Sequence, residues 1–278
     1  MSKRKKKVFV IAWVVLLAIL LVCVIIFSPG PKHDETLSAT MRDAVLHNTN
    51  KVSLLGIVDV HPSVISAFVV TGSLLFIALL IRIFAIPRFK NVPGKFQLAL
   101  EALYGFFKDL AKSNSPHRNG FLAVYIFGVG IYIFFGTLFE LLGIQVISTT
   151  GTSIALSAPL SDINAAIATG VTSYLVILSG GIVGNGVKGV GLTLKEFSLP
   201  ISMSFRLFGA LLSGLLVTEL VYFSLSLSFV LPVLVAVMFT LLHALIQTYV
   251  LTLLTALFYG EVSEPSPKKR KKPQKATA

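Results

Sequence analysis

The chain has 278 residues, 55% of them hydrophobic and only 13% charged, with a net charge of +12 and a mean hydropathy of +0.86. That balance excludes a soluble globular domain and describes an integral membrane protein with several spans. The positive charge does not argue for nucleic acid, because the Lys and Arg residues lie in short loops and tails beside apolar runs, where they set orientation.

The first apolar run, Val8 to Phe27, follows five basic residues, Lys3 to Lys7. It is long enough to cross a hydrocarbon core of about 30 Å. It reads either as a signal sequence or as an anchor; the exit Ser28-Pro29-Gly30-Pro31 lacks a small-x-small cleavage site, which favours an uncleaved anchor. Cys23, within this run, is the single cysteine, so no disulfide framework or Cys-x-x-Cys metal cluster is expected, and no metal or cofactor. Ser28 to His61 is polar and without strong periodicity, and Pro62 marks the next boundary. The chain thus divides into an anchor and external segment over residues 1–62, a membrane domain over 63–263 and a basic tail over 264–278.

Further runs of spanning length occur at Val64 to Ile86, Phe121 to Gly143, Ala165 to Ile182, Phe197 to Tyr222 and Phe229 to Tyr259. The expected fold is an all-α polytopic membrane protein with about six membrane-embedded helices. After the second run, Phe96, Leu100, Leu103, Phe107 and Leu110 recur at helical spacing, with Lys95, Gln97, Glu101, Lys108 and Lys112 between them. This predicts an amphipathic helix on the membrane surface. Gly180 to Gly191 holds six glycines in twelve residues; it lacks the Gly-Lys-Ser/Thr ending of a phosphate loop and reads as a flexible turn. The last two runs are long and joined by a short link, which predicts a tilted antiparallel helical hairpin.

Basic residues are dense before the first run, between Arg88 and Arg118, at Lys188 and Lys195, and after Glu264, whereas alternate segments carry few or none. Both termini are therefore expected on the cytoplasmic side. This orientation gathers Glu140, Asp162 and Glu219 toward the outer side. Such acids can sit as solvated groups among lipid headgroups, or can together lower the energy of an entering cation; three in one region favour the inlet. His243 lies mid-span, where it can serve as a packing residue or as a proton relay titrating near neutrality.

Arg206 is the only deep basic residue. A central membrane Arg costs about 2.5 to 3.5 kcal/mol on insertion scales and faces a partner or a watery cavity. Glu219, thirteen residues on, lies about 20 Å along the helix, and Glu196, ten residues back, about 15 Å, so neither neutralises it within this helix. Ser202, Arg206, Gly209 and Ser213 share one face at spacings of four, three and four. Small residues there admit another helix closely, and the expected visitor carries a buried carboxylate.

The run Pro200-Ile-Ser-Met-Ser-Phe-Arg206-Leu-Phe-Gly209, with Ala244-Leu-Ile-Gln247-Thr-Tyr-Val-Leu-Thr-Leu-Leu-Thr255 and Tyr259-Gly-Glu261, closely resembles subunit a of bacterial F-type ATP synthases. Val92-Pro-Gly-Lys-Phe-Gln97, Thr137-Leu-Phe-Glu140-Leu-Leu and Pro159-Leu-Ser-Asp162-Ile-Asn164 agree in order and spacing, extending the resemblance over roughly Asp59 to Glu261. It implies a stator subunit with two half-channels, in which Arg206 matches the essential arginine facing carboxylates of a rotating c-ring. Gln247 matches the glutamine on the facing helix; Glu140, Asp162 and Asn164 match polar positions of the outer half-channel. Ser202, Gly209 and Ser213 would join Arg206 at the ring interface. The implied partners are the c-ring, the b subunits of the peripheral stalk, the rest of the F1Fo complex and membrane lipid, in a bacterial plasma membrane. Nucleotide catalysis would belong to other subunits.

This chain departs from the family pattern at Ala210, Leu215 and Thr240, where the family has an amide, an acid or His, and the partner of that group. Glu219 and His243 are the candidates to replace Leu215 and Thr240. A secondary transporter using Arg206 to bind an anionic substrate is the alternative reading, but no internal repeat of the kind such transporters show is visible.

Overall fold

The computed structural model describes residues 13–16, 19, 22, 52–54, 58–147, 151, 153–223 and 231–265. The first expected span and the basic tail fall almost wholly outside the described residues. Helices dominate: α1 Pro62–Leu80, α2 Lys95–Asn114, α3 Gly120–Leu138, α4 Ile163–Asn185, α5 Val187–Lys195, α6 Ser198–Phe223 and α7 Leu231–Ser263. Two small antiparallel hairpins, β1 Val52–Leu54 with β2 Val58–Val60 and β3 Gln145–Ile147 with β4 Ser153–Ala155, are the additions to an otherwise all-α architecture.

Local chemistry sets the helix ends. α1 starts with Pro62 in its first turn, and the His61 ring accepts a hydrogen bond from the Ser63 N–H at 3.2 Å. It then loosens into a π turn, Ile81–Ala85, and a 3-10 turn, Ile86–Arg88. Pro87 lacks an N–H and crowds the preceding turn, so the α-helical ladder cannot continue through it. α3 passes through the 3-10 turn Phe139–Leu142 into Gly143 at φ 58°, a left-handed terminator.

Four helical stretches are long and apolar enough to cross a membrane: Pro62–Arg88, Gly120–Leu142, Ile163–Asn185 and Val237–Ser263. Val187–Lys195 and Ser198–Gly214, bent by 49° at their junction, meet the same criterion only when taken together, as one broken span or a re-entrant loop. With the run at 8–27 set aside, this matches the expected sequence of spans. Large apolar side chains point outward, as in Phe68 (69% exposed), Leu75 and Met238, because lipid solvates them as well as a protein core does. At about 1.5 Å per residue, α7 with 33 residues is near 50 Å long, so it must tilt to stay in a bilayer.

Cohesion between helices comes from close approach and hydrogen bonds internal to the bundle. Leu122, Ile126 and Ile133 of α3, Ile177 of α4 and Met203 and Leu207 of α6 are almost fully buried. Gly130 receives the Phe107 ring of α2, and Gly180 receives the Tyr259 ring of α7. Buried hydroxyls find carbonyls: Thr252 donates to Thr248 O at 2.7 Å, Thr255 to Leu251 O at 2.8 Å and the Tyr174 hydroxyl to Thr193 O at 3.0 Å. No water is present in hydrocarbon to do this instead.

One expectation is corrected. Gly180 to Gly191 is not a flexible turn: α4 continues through Asn185, and Gly186 alone, at φ 60°, makes the junction to α5. Gly180, Gly181, Gly184 and Gly189 serve packing, since a Cβ on Gly181 would stand 2.9 Å from Gly189 O and one on Gly184 would stand 2.5 Å from Ser263 O. Asn185 Nδ2 closes the same end by donating to Val262 O at 2.9 Å and Glu264 O at 2.7 Å. The amphipathic helix α2 keeps Lys95, Glu101, Lys108 and Lys112 exposed, but it also packs on its own chain: Phe107 and Ala111 are buried, and Phe106 meets Tyr249 of α7 with ring centroids 6.4 Å apart.

Gly184→Ala should destabilise the purified protein by about 1–3 kcal/mol, the cost of overpacking against backbone that cannot yield. Gly191→Ala, which meets nothing within 4 Å, should stabilise by up to about 1 kcal/mol through helix propensity. Unfolding in mixed micelles with increasing denaturing detergent compares the two.

Candidate functional site

The face that α6 turns inward is fixed by Met203, Leu207 and Leu211, spaced by one turn each and all buried. Ser204 is also buried, and its hydroxyl donates to Pro200 O at 2.6 Å. Gly170 of α4 sits directly against this turn: a Cβ there would strike the Ser204 hydroxyl and come within 3.0 Å of Pro200 O. Two residues beyond Ser204, about 200° around the helix, Arg206 is turned away from α4 and is exposed.

Ser202 and Ser213 are exposed with it, and Gly209 between them is half-buried, with nothing within 4 Å of where a side chain would begin. Among the described residues Arg206 has neither an ion-pair partner nor a hydrogen bond. Ser202, Arg206 and Ser213 are thus exposed along α6, with Gly209 half-buried among them. Small neighbours leave room for an approaching helix, and the charge favours one bearing an anionic group.

α7 packs beside α6. His243 of α7 is half-buried, lies beside the Phe239 ring at a centroid distance of 5.7 Å, and abuts Gly214 of α6, where a Cβ would stand 3.6 Å from Nδ1. The short link after Phe223 makes the helices antiparallel, so this contact puts Gln247, one turn along α7, opposite Ala210, one turn beyond Arg206. Gln247 is 8% exposed and forms no hydrogen bond among the described residues. Next to it the Thr248 hydroxyl is buried and unpartnered. Sequence spacing alone could not find the His243–Gly214 contact; the signal is a missing side chain on one helix and a ring on another.

Glu140 occupies the 3-10 turn after α3, half-buried, and that turn packs against α7. Asp162 caps α4, its Oδ1 accepting from Asn164 N at 3.1 Å and from Asn164 Nδ2 at 3.2 Å. Its neighbouring turn, Pro159–Ser161, packs on α1, α3, α4 and α6. Glu219 lies on the last third of α6, and its side chain is outside the described residues. Along the α6 axis, Gly214 is about 12 Å from Arg206 and about 7.5 Å from Glu219, so His243 stands at a level between them. Among the described residues, no group of three or more His, Cys, Asp or Glu is arranged to hold a metal.

The family model described as ATP synthase A chain matches residues 65–260, well over half of the chain. The match contains every candidate residue above, from Glu140 to Gln247.

Asp162→Ala should cost about 1 kcal/mol of stability by removing the N-cap, whereas Asp162→Asn should retain it. Thermal unfolding of the two purified variants separates the capping role from any role of the charge, which only ion-flux measurements on the Asn variant would reveal.

Proposed function

The chain belongs to the ATP synthase A chain family, subunit a of F-type ATP synthases, a multi-pass, non-catalytic membrane subunit of the Fo ion channel that works with the c-ring; from that premise we propose how its residues move an ion. Arg206 is the electrostatic stop between two half-channels. A ring carboxylate arriving at the face Ser202, Arg206, Gly209 and Ser213 gives up its ion and is held ionised by the guanidinium, because an opposite charge within about 4–6 Å favours the charged form. The same fixed positive charge repels a free cation and prevents it from passing directly from one half-channel to the other.

The observation that carries this reading is the exposed Arg206 without a counter-charge among the described residues, on a face otherwise made of small side chains. Gln247, opposite Ala210, supplies an amide where the family pattern would place one on α6 itself, and orients the guanidinium by hydrogen bonding. Glu140, Asp162, Asn164 and Glu219 line the outer half-channel, with His243 relaying protons between the level of Glu219 and that of Arg206. Its place against Gly214 supports that role for a group displaced by one turn from Thr240. The b subunits of the peripheral stalk hold the subunit still, both termini face the cytoplasm, and the membrane is a bacterial plasma membrane.

In membranes carrying the whole complex, Arg206→Ala and Arg206→Lys should both abolish ATP-driven ion pumping while ATP hydrolysis by the extrinsic sector persists. Retained pumping in both variants would overturn the central assignment. Gly209→Leu should leave stability within about 0.5 kcal/mol, since the position is open, yet block pumping by obstructing the ring. Glu219→Leu should impair coupled flux far more than Glu264→Leu; equal and negligible effects would remove Glu219 from the channel.

A further inference from the structure

We propose that the junction of α1 and α2 is a binding site for the headgroup of an anionic phospholipid. A cavity of about 680 Å³ opens there, lined by the cationic side chains of Arg88, Lys90 and Lys95 and by the apolar Phe89, Val92 and Phe96. Among the described residues none of these three cations has an ion-pair partner, and no carboxylate lines the cavity. Glu101, one turn along α2, is engaged by Gln97 Nε2 at 2.7 Å.

The loop that carries the cations is held in shape. Gln97 Oε1 accepts from the Lys90 N–H at 3.0 Å, and Gln97 Nε2 donates to Lys90 O at 2.9 Å, so both backbone groups of Lys90 are tied to the first turn of α2. That turn contains no acidic residue, which leaves its N–H groups and partial positive charge compatible with a phosphate oxygen. Ammonium and guanidinium groups supply the rest of the anion site.

The occupant is a lipid on two further grounds. The cavity lies where a membrane-spanning helix, Pro62–Arg88, meets an amphipathic one, at the level where phosphodiesters of a bilayer lie. Val92 is 84% exposed and Phe96 58%, and such surface beside a cation cluster suits the glycerol and upper acyl region, which free phosphate lacks. A neutral zwitterionic lipid would bring its own ammonium against three cations.

The test uses the complete complex in vesicles, with either phosphatidylglycerol or phosphatidylcholine carrying a photoreactive diazirine in the acyl chain near the glycerol. Adducts on the peptide spanning Arg88 to Gln97 should form preferentially with phosphatidylglycerol. Each of Arg88→Gln, Lys90→Gln and Lys95→Gln should lower that labelling by about fivefold, the usual weight of one basic residue near an anionic surface. Excess inorganic phosphate should not compete. Equal labelling by the two lipids, competition by phosphate, or crosslinking of this peptide to a protein subunit in place of lipid would each overturn the proposal. The lipid comparison on the unaltered complex stands even where a variant fails to assemble, and it does not depend on the role given to Arg206.

Discussion

Everything in this fold answers to the absence of water between the helices. In hydrocarbon, a polar group must find its partner inside the protein, and the buried hydroxyls of Ser204, Thr252 and Thr255 do so within their own helices. The same constraint makes Arg206 exceptional. Its side chain lies on the side of α6 away from the packing of Ser204 against Gly170, and among the described residues it meets no counter-charge.

The glycines are the mechanical means by which that constraint is met. Hydrophobic burial cannot drive helices together in lipid, so attraction depends on short contacts. Gly130 under Phe107 and against Thr252, Gly180 under Tyr259, Gly184 under Ser263 and Gly181 against Gly189 tie α2, α3, α4, α5 and α7 together. Hydrogen bonds reinforce the same end, where His117 Nε2 meets Ser263 Oγ at 2.9 Å and Asn185 reaches the last turn of α7. A rigid stator suits a subunit against which a ring must turn. By contrast Gly209, like Gly72, Gly128 and Gly191, has nothing within 4 Å of where a side chain would begin.

Apolar run length identified the spans, because the hydrocarbon thickness admits few solutions. Helical spacing put Ser202, Arg206, Gly209 and Ser213 on one face, since 3.6-residue geometry is local. The motifs around Arg206 and Gln247 pointed to the family that the match over residues 65–260 establishes. The glycine-rich stretch misled because glycine content is ambiguous: the same residue loosens a chain in water and permits close packing in a bundle. Only neighbours supplied by α5 and α7 distinguish the two. Likewise, α2 advertised an apolar stripe but not that part of it would be received by α3 and α7.

The sequence by itself determined the membrane setting, the order of the spans and the lone charge on a small-residue face, because these follow from length, composition and helical period. Tertiary structure decided that Arg206 is exposed while Gln247 is buried, and that His243 lies against Gly214. Those relations join residues far apart along the chain. They depend on how two helices are rotated and shifted against each other, a choice made by the packing of glycine and hydroxyl contacts and invisible to any single helix.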